Sequence, residues 1–206
     1  MNISCAQTGP GGANTYIVAD ENTGKGFIVD PGGYVKEIKD YLDQNHIDMQ
    51  YIILTHGHGD HIGGVAGFKN DFPAAKVVAC VHEKELLADP DMNLSRMMFA
   101  SPVTVEADMY VDDGDTLKIG DLELKFFHTP GHSPGGMCIL IDNVLFSGDT
   151  LFRTSVGRTD FQGSSFADLK KSIHEKIFVL PDETQVLPGH MGPTTVGDEK
   201  KYNPFV

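Results

Sequence analysis

The first part of the chain alternates short apolar runs with a segment of helical spacing. Residues 15–18 and 26–30 are rich in β-branched and aromatic side chains and flank a turn, which predicts two neighbouring strands. Residues 35–42 carry apolar side chains at 35, 38, 41 and 42, the spacing of an amphipathic helix. The apolar run 51–54 predicts a buried strand that leads directly into the stretch LTHGHGDHIGG, residues 54–64.

Later segments continue this alternation and then turn to antiparallel β-structure. We predict helices over 65–72, 82–88 and 166–178, strands over 76–80, 117–119, 122–127, 137–141, 144–146 and 185–187, and an irregular region over 89–108. A mixed first half followed by antiparallel strands predicts an α/β sandwich, with helices packed outside two sheets. The chain has no internal repeat and no linker composition, so we predict one domain over residues 1–206.

Charge and composition narrow the function classes. The chain has 16 Lys and Arg against 29 Asp and Glu, a formal charge of −13, which disfavours binding to a nucleic-acid backbone. No apolar run approaches the ~20 residues that a membrane span requires. The first residues lack the basic and apolar regions of a signal peptide, so we expect a cytoplasmic protein. Three widely separated cysteines suit a reducing compartment, and Cys138 is interpreted as a buried small apolar residue.

The turn after the predicted strand 51–54 concentrates groups that bind metal ions. His56, His58, Asp60 and His61 are interleaved with glycines, which let the backbone take unusual conformations. Imidazole nitrogens and carboxylate oxygens bind divalent ions at ~2.0–2.2 Å. Histidines two residues apart project to the same side of an extended chain, so this turn is suited to gathering several ligands in a small volume.

Three downstream loops supply candidate partners for these ligands. His132, Asp149 and His190 each lie beside a glycine, shortly after a β-rich run. Loops held by a rigid scaffold are where functional side chains concentrate, so we expect the seven residues to form one site. We interpret His46, His82 and His174 as ordinary histidines. For His128 we leave open a role in bracing its loop.

Taken in chain order, the seven residues resemble the ligand set of the metallo-β-lactamase superfamily, and the resemblance covers nearly the whole chain. It implies a four-layer αββα sandwich with the metals at one edge of the sheets. It also implies an assignment of ligands. A first metal would be held by His56, His58 and His132, a second by Asp60, His61 and His190, and Asp149 would bridge the two.

This resemblance implies a chemistry as well as a fold. We expect two divalent metal ions per chain, zinc in the first place, with iron or manganese as alternatives. Two such ions ~3.5–4 Å apart can share a water and make it hydroxide near neutral pH. We expect Asp60 to orient that nucleophile and take its proton, in addition to binding metal. Ser133, beside His132, is then a loop residue rather than a nucleophile.

Residues 149–161 are similar to the glyoxalase II branch of the superfamily and its neighbours. These are thioesterases that hydrolyse S-D-lactoylglutathione, which implies a small-molecule thioester as the substrate. Arg158 matches a basic residue that helps bind glutathione in the longer members. An ion pair between Arg158 and Asp160 is the alternative interpretation, and both stay open at this point.

The chain departs from the longer glyoxalase II enzymes after its last predicted ligand. Sixteen residues follow His190, so we expect no C-terminal helical domain and fewer contacts to glutathione. Residues 89–108 are either a partial lid or a surface loop. The polar candidates of such a lid are Asn93, Ser95 and Arg96.

Two other activities remain as alternatives. Persulfide dioxygenases also resemble this chain and share residues 157–161; they use one Fe(II), for which His56, His132 and Asp149 would be the ligands. Lactonases and β-lactamases share the same centre, although exported β-lactamases carry a signal that is missing here. A binding module without activity would be indicated by lost ligands, and none is lost. The pattern specifies no oligomeric state.

Overall fold

The computed structural model describes residues 1–206, and two six-stranded sheets form its centre. The first sheet contains, in spatial order, β1 (Asn2–Thr8), β2 (Ala13–Ala19), β3 (Lys25–Val29), β4 (Asp48–Ile53), β5 (Lys76–Cys80) and β6 (Met109–Val111). Strands β1 to β3 pair antiparallel, whereas β3 to β6 pair parallel. The carboxyl ends of β3, β4 and β5 therefore meet at one edge of this sheet.

The second sheet is almost entirely antiparallel. It contains, in spatial order, β14 (Thr194–Thr195), β13 (Gln185–Pro188), β10 (Val144–Gly148), β9 (Met137–Ile141), β8 (Leu122–His128) and β7 (Thr116–Ile119). Only β10 and β13 run parallel to each other. A small separate hairpin, β11 (Leu151–Phe152) and β12 (Ser155–Val156), follows β10.

Helices cover the outer faces of both sheets. They are α1 (Lys36–Gln44), α2 (Gly59–Ile62), α3 (Val65–Asp71), α4 (Lys84–Ala88), α5 (Ser95–Met98), α6 (Phe166–Ser172) and α7 (Val196–Tyr202). A 3₁₀ turn at Val81–Glu83 precedes α4, and a π turn at Ile173–Ile177 continues α6. None of these helices has the length and apolar character needed to cross a bilayer.

Three apolar clusters separate the layers. The largest lies between the two sheets and includes the fully buried Phe126 and Phe146. A second joins the first sheet to α1 and α3 through Leu42 and Phe68, and a third joins the second sheet to α6 through Leu169. Burial of such a side chain contributes ~1.5–3 kcal/mol relative to exposure. The layers are helix, sheet, sheet, helix, so the predicted four-layer αββα sandwich is confirmed.

Several elements differ from the sequence prediction. Strand β1 was not predicted, because its residues mix polar and apolar types and only Thr8 is buried. The region predicted as irregular, 89–108, contains one helical turn, α5. The predicted helix 166–178 changes from α to π geometry after Ser172, and α7 at the carboxyl end was missed.

The two sheets are tied together at the edge where the parallel strands end. The Met137 N–H, at the start of β9, donates to the carbonyl of Thr55, just after β4, at 2.8 Å. The Asn14 N–H donates to the Gly189 carbonyl beyond β13 at 2.7 Å. These bonds hold the loops of both sheets side by side.

Candidate metal centre

The seven predicted ligands converge at this edge of the sandwich. They come from the ends of four strands: His56, His58, Asp60 and His61 follow β4, His132 follows β8, Asp149 follows β10, and His190 follows β13. Glycines allow the approach. A side chain at Gly189 would collide with Asp149 and His61, and one at Gly148, which has a φ of 49°, would collide with Thr55.

His56, His58 and His132, which we call the first trio, point ligand atoms at one place. One ligand atom from each lies within 4.8 Å of the other two, and all three side chains are buried. His58 Nδ1 lies 2.9 Å from His132 Nε2. The His132 Nδ1–H donates to the Arg158 carbonyl at 2.7 Å, which leaves Nε2 directed into the cluster.

Asp60, His61 and His190, which we call the second trio, form an equally tight group. Their ligand atoms also lie within 4.8 Å of one another. His61 Nε2 lies 3.3 Å from His190 Nε2, and His190 Nε2 lies 3.3 Å from Asp60 Oδ2. Asp60 and His61 lie in the single turn of helix α2, which directs both side chains inward.

Asp149 lies between the two trios and reaches both. Its Oδ1 is 3.4 Å from His61 Nε2, and its Oδ2 is 3.5 Å from His132 Nε2 and 3.6 Å from His190 Nε2. A carboxylate that faces both groups is placed where a bridging ligand would be needed.

The residues fit a pair of divalent ions. His56 Nε2 and Asp149 Oδ1 are buried polar atoms without a hydrogen-bond partner, an arrangement that costs free energy unless something binds them. The donors of the cluster are five imidazoles and two carboxylates, a set that suits zinc, iron or manganese.

The histidines of the two trios have pKa values shifted in opposite directions. Burial lowers the pKa of His58 to about 3 and lowers the pKa values of His56 and His132, and neighbouring histidines add to the effect. These three imidazoles are therefore neutral at pH 7, the form that binds metal.

The histidines of the second trio behave in the opposite way. Burial alone would lower the pKa of His61, but the carboxylates of Asp149, Asp30 and Asp60 raise it to about 10. The pKa of His190 is raised too, because its hydrogen bond to Asp60 and the charge of Asp149 outweigh burial. Burial would raise the pKa of Asp60, yet the His190 hydrogen bond and nearby histidines bring it below its usual range. Without metal, the second trio therefore holds protons.

Asp30 contacts the second trio, although the sequence pattern did not indicate it. It follows β3, has a φ of 50°, and is buried. Its Oδ2 accepts a hydrogen bond from His61 Nδ1 at 3.0 Å, and its carboxylate accepts two more from Thr55. The available signal was an Asp-Pro-Gly sequence directly after a buried strand, which is also an ordinary turn signal.

Glu83 is a second missed residue, buried behind the first trio. Its Oε1 accepts hydrogen bonds from the Ser133 hydroxyl and, at 2.8 Å, from the Gly135 N–H. Burial raises the pKa of Glu83 to about 7, against the effect of these donors and of the Gly57 N–H. Glu83 thus lies between the turn of His56 and His58 and the loop that follows His132.

His128 and Ser133 brace the same loop. His128 Nε2 lies 2.9 Å from the Pro134 carbonyl, the bracing contact left open from the sequence. Ser133 is buried against Glu83 and takes no part in the cluster of ligands. Cys138 is fully buried, as predicted.

A cavity of about 400 Å³ opens onto the two trios. Its walls carry Asp60 and Asp149 at the base and Leu94, Met98, Phe152, Val156, Phe161 and Met191 around them. Arg158 also lines this cavity and forms the ion pair with Asp160, at 2.7 Å between Nη2 and Oδ2. Its guanidinium lies 4.5 Å from the centre of the Phe161 ring. Both interpretations of Arg158 therefore have a structural counterpart.

The polar residues considered for a lid do not face this cavity. The Asn93 and Ser95 side chains bond to the backbone of Val103, inside their own loop. Arg96 is exposed and bonds to Asp91. These three side chains hold the loop together, whereas Leu94 and Met98 of the same region line the cavity.

Comparison with known proteins identifies the family. The pattern of the metallo-β-lactamase superfamily matches residues 8–190, and the chain belongs to this superfamily of metallo-hydrolases. A probable metallo-hydrolase of Bacillus subtilis, YqgX, is 38% identical over 96% of this chain and 94% of its own length. Hydroxyacylglutathione hydrolase GloC of Haemophilus influenzae is 29% identical over 100% of this chain and 98% of its own length, which fits a glyoxalase II-like member.

Solved structures agree with this assignment. The B3 metallo-β-lactamase BLEG-1 has a TM-score of 0.92 and 37% identity, covering 99% of both chains. A di-iron-bound form of TTHA1623 has a TM-score of 0.86 and 29% identity, covering 98% of this chain and 100% of that one. ETHE1 from Myxococcus xanthus has a TM-score of 0.77 and 27% identity, covering 99% of this chain and 84% of that one.

Proposed function

We propose that this chain is a thioester hydrolase of the glyoxalase II type, acting on S-D-lactoylglutathione or a related acyl thioester with two bound metal ions. The observation that carries the proposal is the placement of Asp149 between two complete trios at the base of a cavity. The similarity to a hydroxyacylglutathione hydrolase, GloC, supports the choice of thioesters.

The trios, Asp149 and Asp60 have different roles in the proposed hydrolysis. Two ions held by the trios and Asp149 would supply a water acidic enough to attack at neutral pH and a Lewis acid for the carbonyl oxygen. Asp60 faces the cavity as an ionised carboxylate, so it accepts a hydrogen bond from the attacking water and orients it. Because its pKa is low, Asp60 can orient the water and accept its proton briefly, but it does not retain that proton. No cysteine lines the cavity.

Arg158 is proposed to contact the thiol part of the substrate. Its Nε and one hydrogen of Nη2 are used by Asp160, at 2.9 and 2.7 Å, so other N–H groups of the guanidinium stay free. An exposed ion pair of this kind is weak, and a carboxylate of glutathione can share the cation.

Zinc is our first choice of metal, with iron or manganese as alternatives. The donor set accepts all three, so abundance in the cell contributes to the choice. The similarity to a di-iron-bound structure supports iron as the leading alternative.

The proposal is tested by thiol release from S-D-lactoylglutathione. His58→Ala and Asp149→Ala should each abolish hydrolysis and lower the metal content determined by elemental analysis. His174→Ala is the matched control, because His174 is exposed and packs on Phe178, away from the trios. Near-wild-type activity in either ligand variant, or no turnover of thioesters by a protein holding two metals, contradicts the proposal.

A persulfide dioxygenase is the second candidate. His56, His132 and Asp149 would hold one Fe(II), and the His56 and His132 rings lie 4.8 Å apart with Asp149 Oδ2 beside His132. The similarity to ETHE1 is the comparison that favours it. One iron per chain, with oxygen consumption on glutathione persulfide and no thioester turnover, would replace the hydrolase proposal.

A β-lactamase is favoured by one comparison, the 37% identity to BLEG-1. The same candidate ligands could support hydrolysis of a β-lactam amide or of a thioester, so the two activities are distinguished by measuring turnover of each substrate. Adding a cephalosporin and a simple lactone to the thioester assay tests this candidate. Faster turnover of the β-lactam than of every thioester would favour it.

A further inference from the structure

The geometry points to a binding subsite for an apolar chain of the substrate, formed by Leu94, Met98 and Met191, which we call the apolar rim. This inference rests on the proposed thioester hydrolase function. All three side chains line the cavity beside the ligands, which places them within reach of a bound substrate. The chemical class of ligand is a thioester that carries an alkyl chain.

Backbone strain is the first observation that supports the apolar rim. Leu94 has a φ of 64° and Met191 a φ of 68°, in the left-handed region that large side chains rarely adopt. The other four non-glycine residues with positive φ, Asp30, His46, Asp142 and Thr154, are all polar. Strained residues of this kind cluster at ligand sites, where the rest of the structure holds them. Here the two apolar ones face the same cavity.

Leu94 is held in place by its two buried neighbours. The Asn93 side chain donates to the Val103 carbonyl at 2.9 Å and accepts from the Ser95 N–H at 2.9 Å. The Asn93 carbonyl accepts from the Gly59 N–H, the first residue of α2, at 2.7 Å. Leu94 is therefore fixed relative to the helix that carries Asp60.

Met191 is held on the opposite side by an equivalent device. It directly follows His190, and its carbonyl accepts a hydrogen bond from the Asn14 side chain at 2.8 Å. The backbone is thus anchored while the side chain remains 54% exposed. An anchored backbone carrying an exposed apolar side chain at a cavity leaves that surface for a ligand to cover.

The lining of the cavity points to the same class of ligand. Arg158 is the one Lys or Arg side chain in that lining, and it is paired with Asp160. Asp60 and Asp149 lie at the base. Six of the eight lining residues outside the two trios and Asp149 are apolar, and each methylene buried against them should improve binding roughly fourfold.

Two series of substrates test the inference and show which part of the substrate carries the alkyl chain that binds the apolar rim. One series lengthens the acyl part, from acetyl to hexanoyl thioesters of N-acetylcysteamine. The other lengthens the thiol part, from ethanethiol to hexanethiol acetyl thioesters. For the metal-loaded full chain, we expect kcat/KM to rise at least tenfold with chain length in one series, and the responding series shows which part of the substrate contacts the apolar rim.

Glycine variants test the residues without risk to the fold. Leu94→Gly and Met191→Gly remove the side chain at positions where glycine adopts the same φ readily. Each should lower the long-chain to short-chain ratio of kcat/KM at least threefold, with the metal content retained. Met97→Ala is the control for losing an exposed side chain, since Met97 is 87% exposed and lies outside the cavity. His46→Gly is the control for a left-handed position far from the site.

Binding of inert analogues separates this inference from the proposed function. The S-hexyl and S-ethyl thioethers of N-acetylcysteamine cannot be hydrolysed, and their binding is measured by calorimetry on the metal-loaded protein. At least tenfold tighter binding of the hexyl compound, reduced by Leu94→Gly or Met191→Gly, supports the apolar rim even if no thioester is turned over. Equal binding of the two compounds, together with no dependence of turnover on chain length, overturns it.

Discussion

Asp30 and His61 are joined by a hydrogen bond of 3.0 Å between Oδ2 and Nδ1, and both side chains are buried. This bond turns His61 Nε2 toward His190 and Asp149. Asp30 is itself held by the N–H and hydroxyl of Thr55, at 2.7 and 2.6 Å. The orientation of one ligand in the second trio therefore depends on a residue that takes no part in the trio.

Asp30→Ala should weaken binding of the second metal ion while the first is retained. Loss of a partner that orients a ligating histidine typically costs ~10–100-fold in metal affinity. Metal content and chelator competition measure the effect for each ion. Asp40→Ala is the control, because the Asp40 side chain is half-exposed and pairs with Lys36, away from the two trios.

Asp30→Asn separates loss of metal from loss of fold, since it keeps the volume and one acceptor oxygen. We expect it to unfold at nearly the wild-type temperature and still to hold the second ion less tightly. Equal affinity for both ions in Asp30→Ala and the wild type would show that His61 needs no such partner.

The two metal ions of the proposed centre should be lost in a defined order as the pH falls. In the first trio the pKa values lie below their usual range, so binding the first ion displaces few protons near pH 7. In the second trio the pKa of His61 is about 10, so the second ion must displace a proton. Its affinity should then fall at least about tenfold per pH unit, since the pKa of His190 is raised too, and that of the first ion much less.

Dialysis of the loaded protein at steps from pH 8 to pH 6, followed by elemental analysis, measures this order. Titration calorimetry in two buffers of different ionisation enthalpy counts the protons released with each ion. Release of both ions together, or of the first trio's ion at the higher pH, would contradict the assignment of charge.

Glu83 should make the metal-free protein less stable as the pH rises. Its pKa is about 7 in the folded chain against 4.5 for an ordinary glutamate, so the folded state binds more protons between these values. The free energy of unfolding therefore decreases from pH 4.5 to pH 7, by up to about 3 kcal/mol for the full shift. Glu83→Gln does not titrate and should show a flatter dependence.

Urea unfolding of the metal-free wild type and Glu83→Gln at pH 4.5 and 7.5 isolates this group, because other titrations are common to both. Glu85→Gln is the control, as Glu85 is the exposed neighbour in α4. If the difference in the free energy of unfolding between wild type and Glu83→Gln is the same at both pH values, the raised pKa of Glu83 is contradicted.

The convergence of the seven candidate ligands was predictable from the sequence for a physical reason. Each follows a strand with a strong local pattern, and glycines mark the loops where backbones approach closely. His132 and His190 are 58 positions apart in the chain, yet both end strands of one sheet at one edge. Strand-end position therefore carried the information, together with the resemblance to a known ligand set.

The supporting residues were not predictable, because their roles depend on contacts distant in sequence. Asp30 reads as part of a turn and Glu83 as the start of a surface helix, and neither pattern indicates burial against loops 25 to 52 residues away. Strands β11 and β12 have two residues each, too short for any periodicity. Leu94 reads as an ordinary loop residue, since backbone strain leaves no mark in the sequence.

Glu199 fastens the carboxyl-terminal helix to the wall of the cavity. It is buried in α7 and accepts hydrogen bonds from the Thr154 N–H at 2.8 Å, the Thr194 hydroxyl at 2.6 Å and the Asn203 side chain at 2.8 Å. Thr154 lies in the turn between β11 and β12, and that hairpin brings Phe152 to the cavity.

Glu199→Ala should destabilise the chain and disturb substrate binding, whereas Glu199→Gln should do neither. Alanine leaves three donors without their acceptor, at ~1.5–3 kcal/mol for each bond to a charged group, so we expect a loss of at least about 3 kcal/mol. Glutamine keeps all three contacts, since its oxygen accepts from Thr154 and Asn203 and its amide donates to the Thr194 hydroxyl, which then accepts instead of donating. The midpoint temperature of thermal unfolding should fall by ~10 °C in Glu199→Ala. The KM of this variant should rise while its metal content stays close to that of the wild type. Glu106→Ala, at an exposed glutamate, is the control, and equal effects of alanine and glutamine at 199 would show that the carboxylate's contacts do not hold the hairpin.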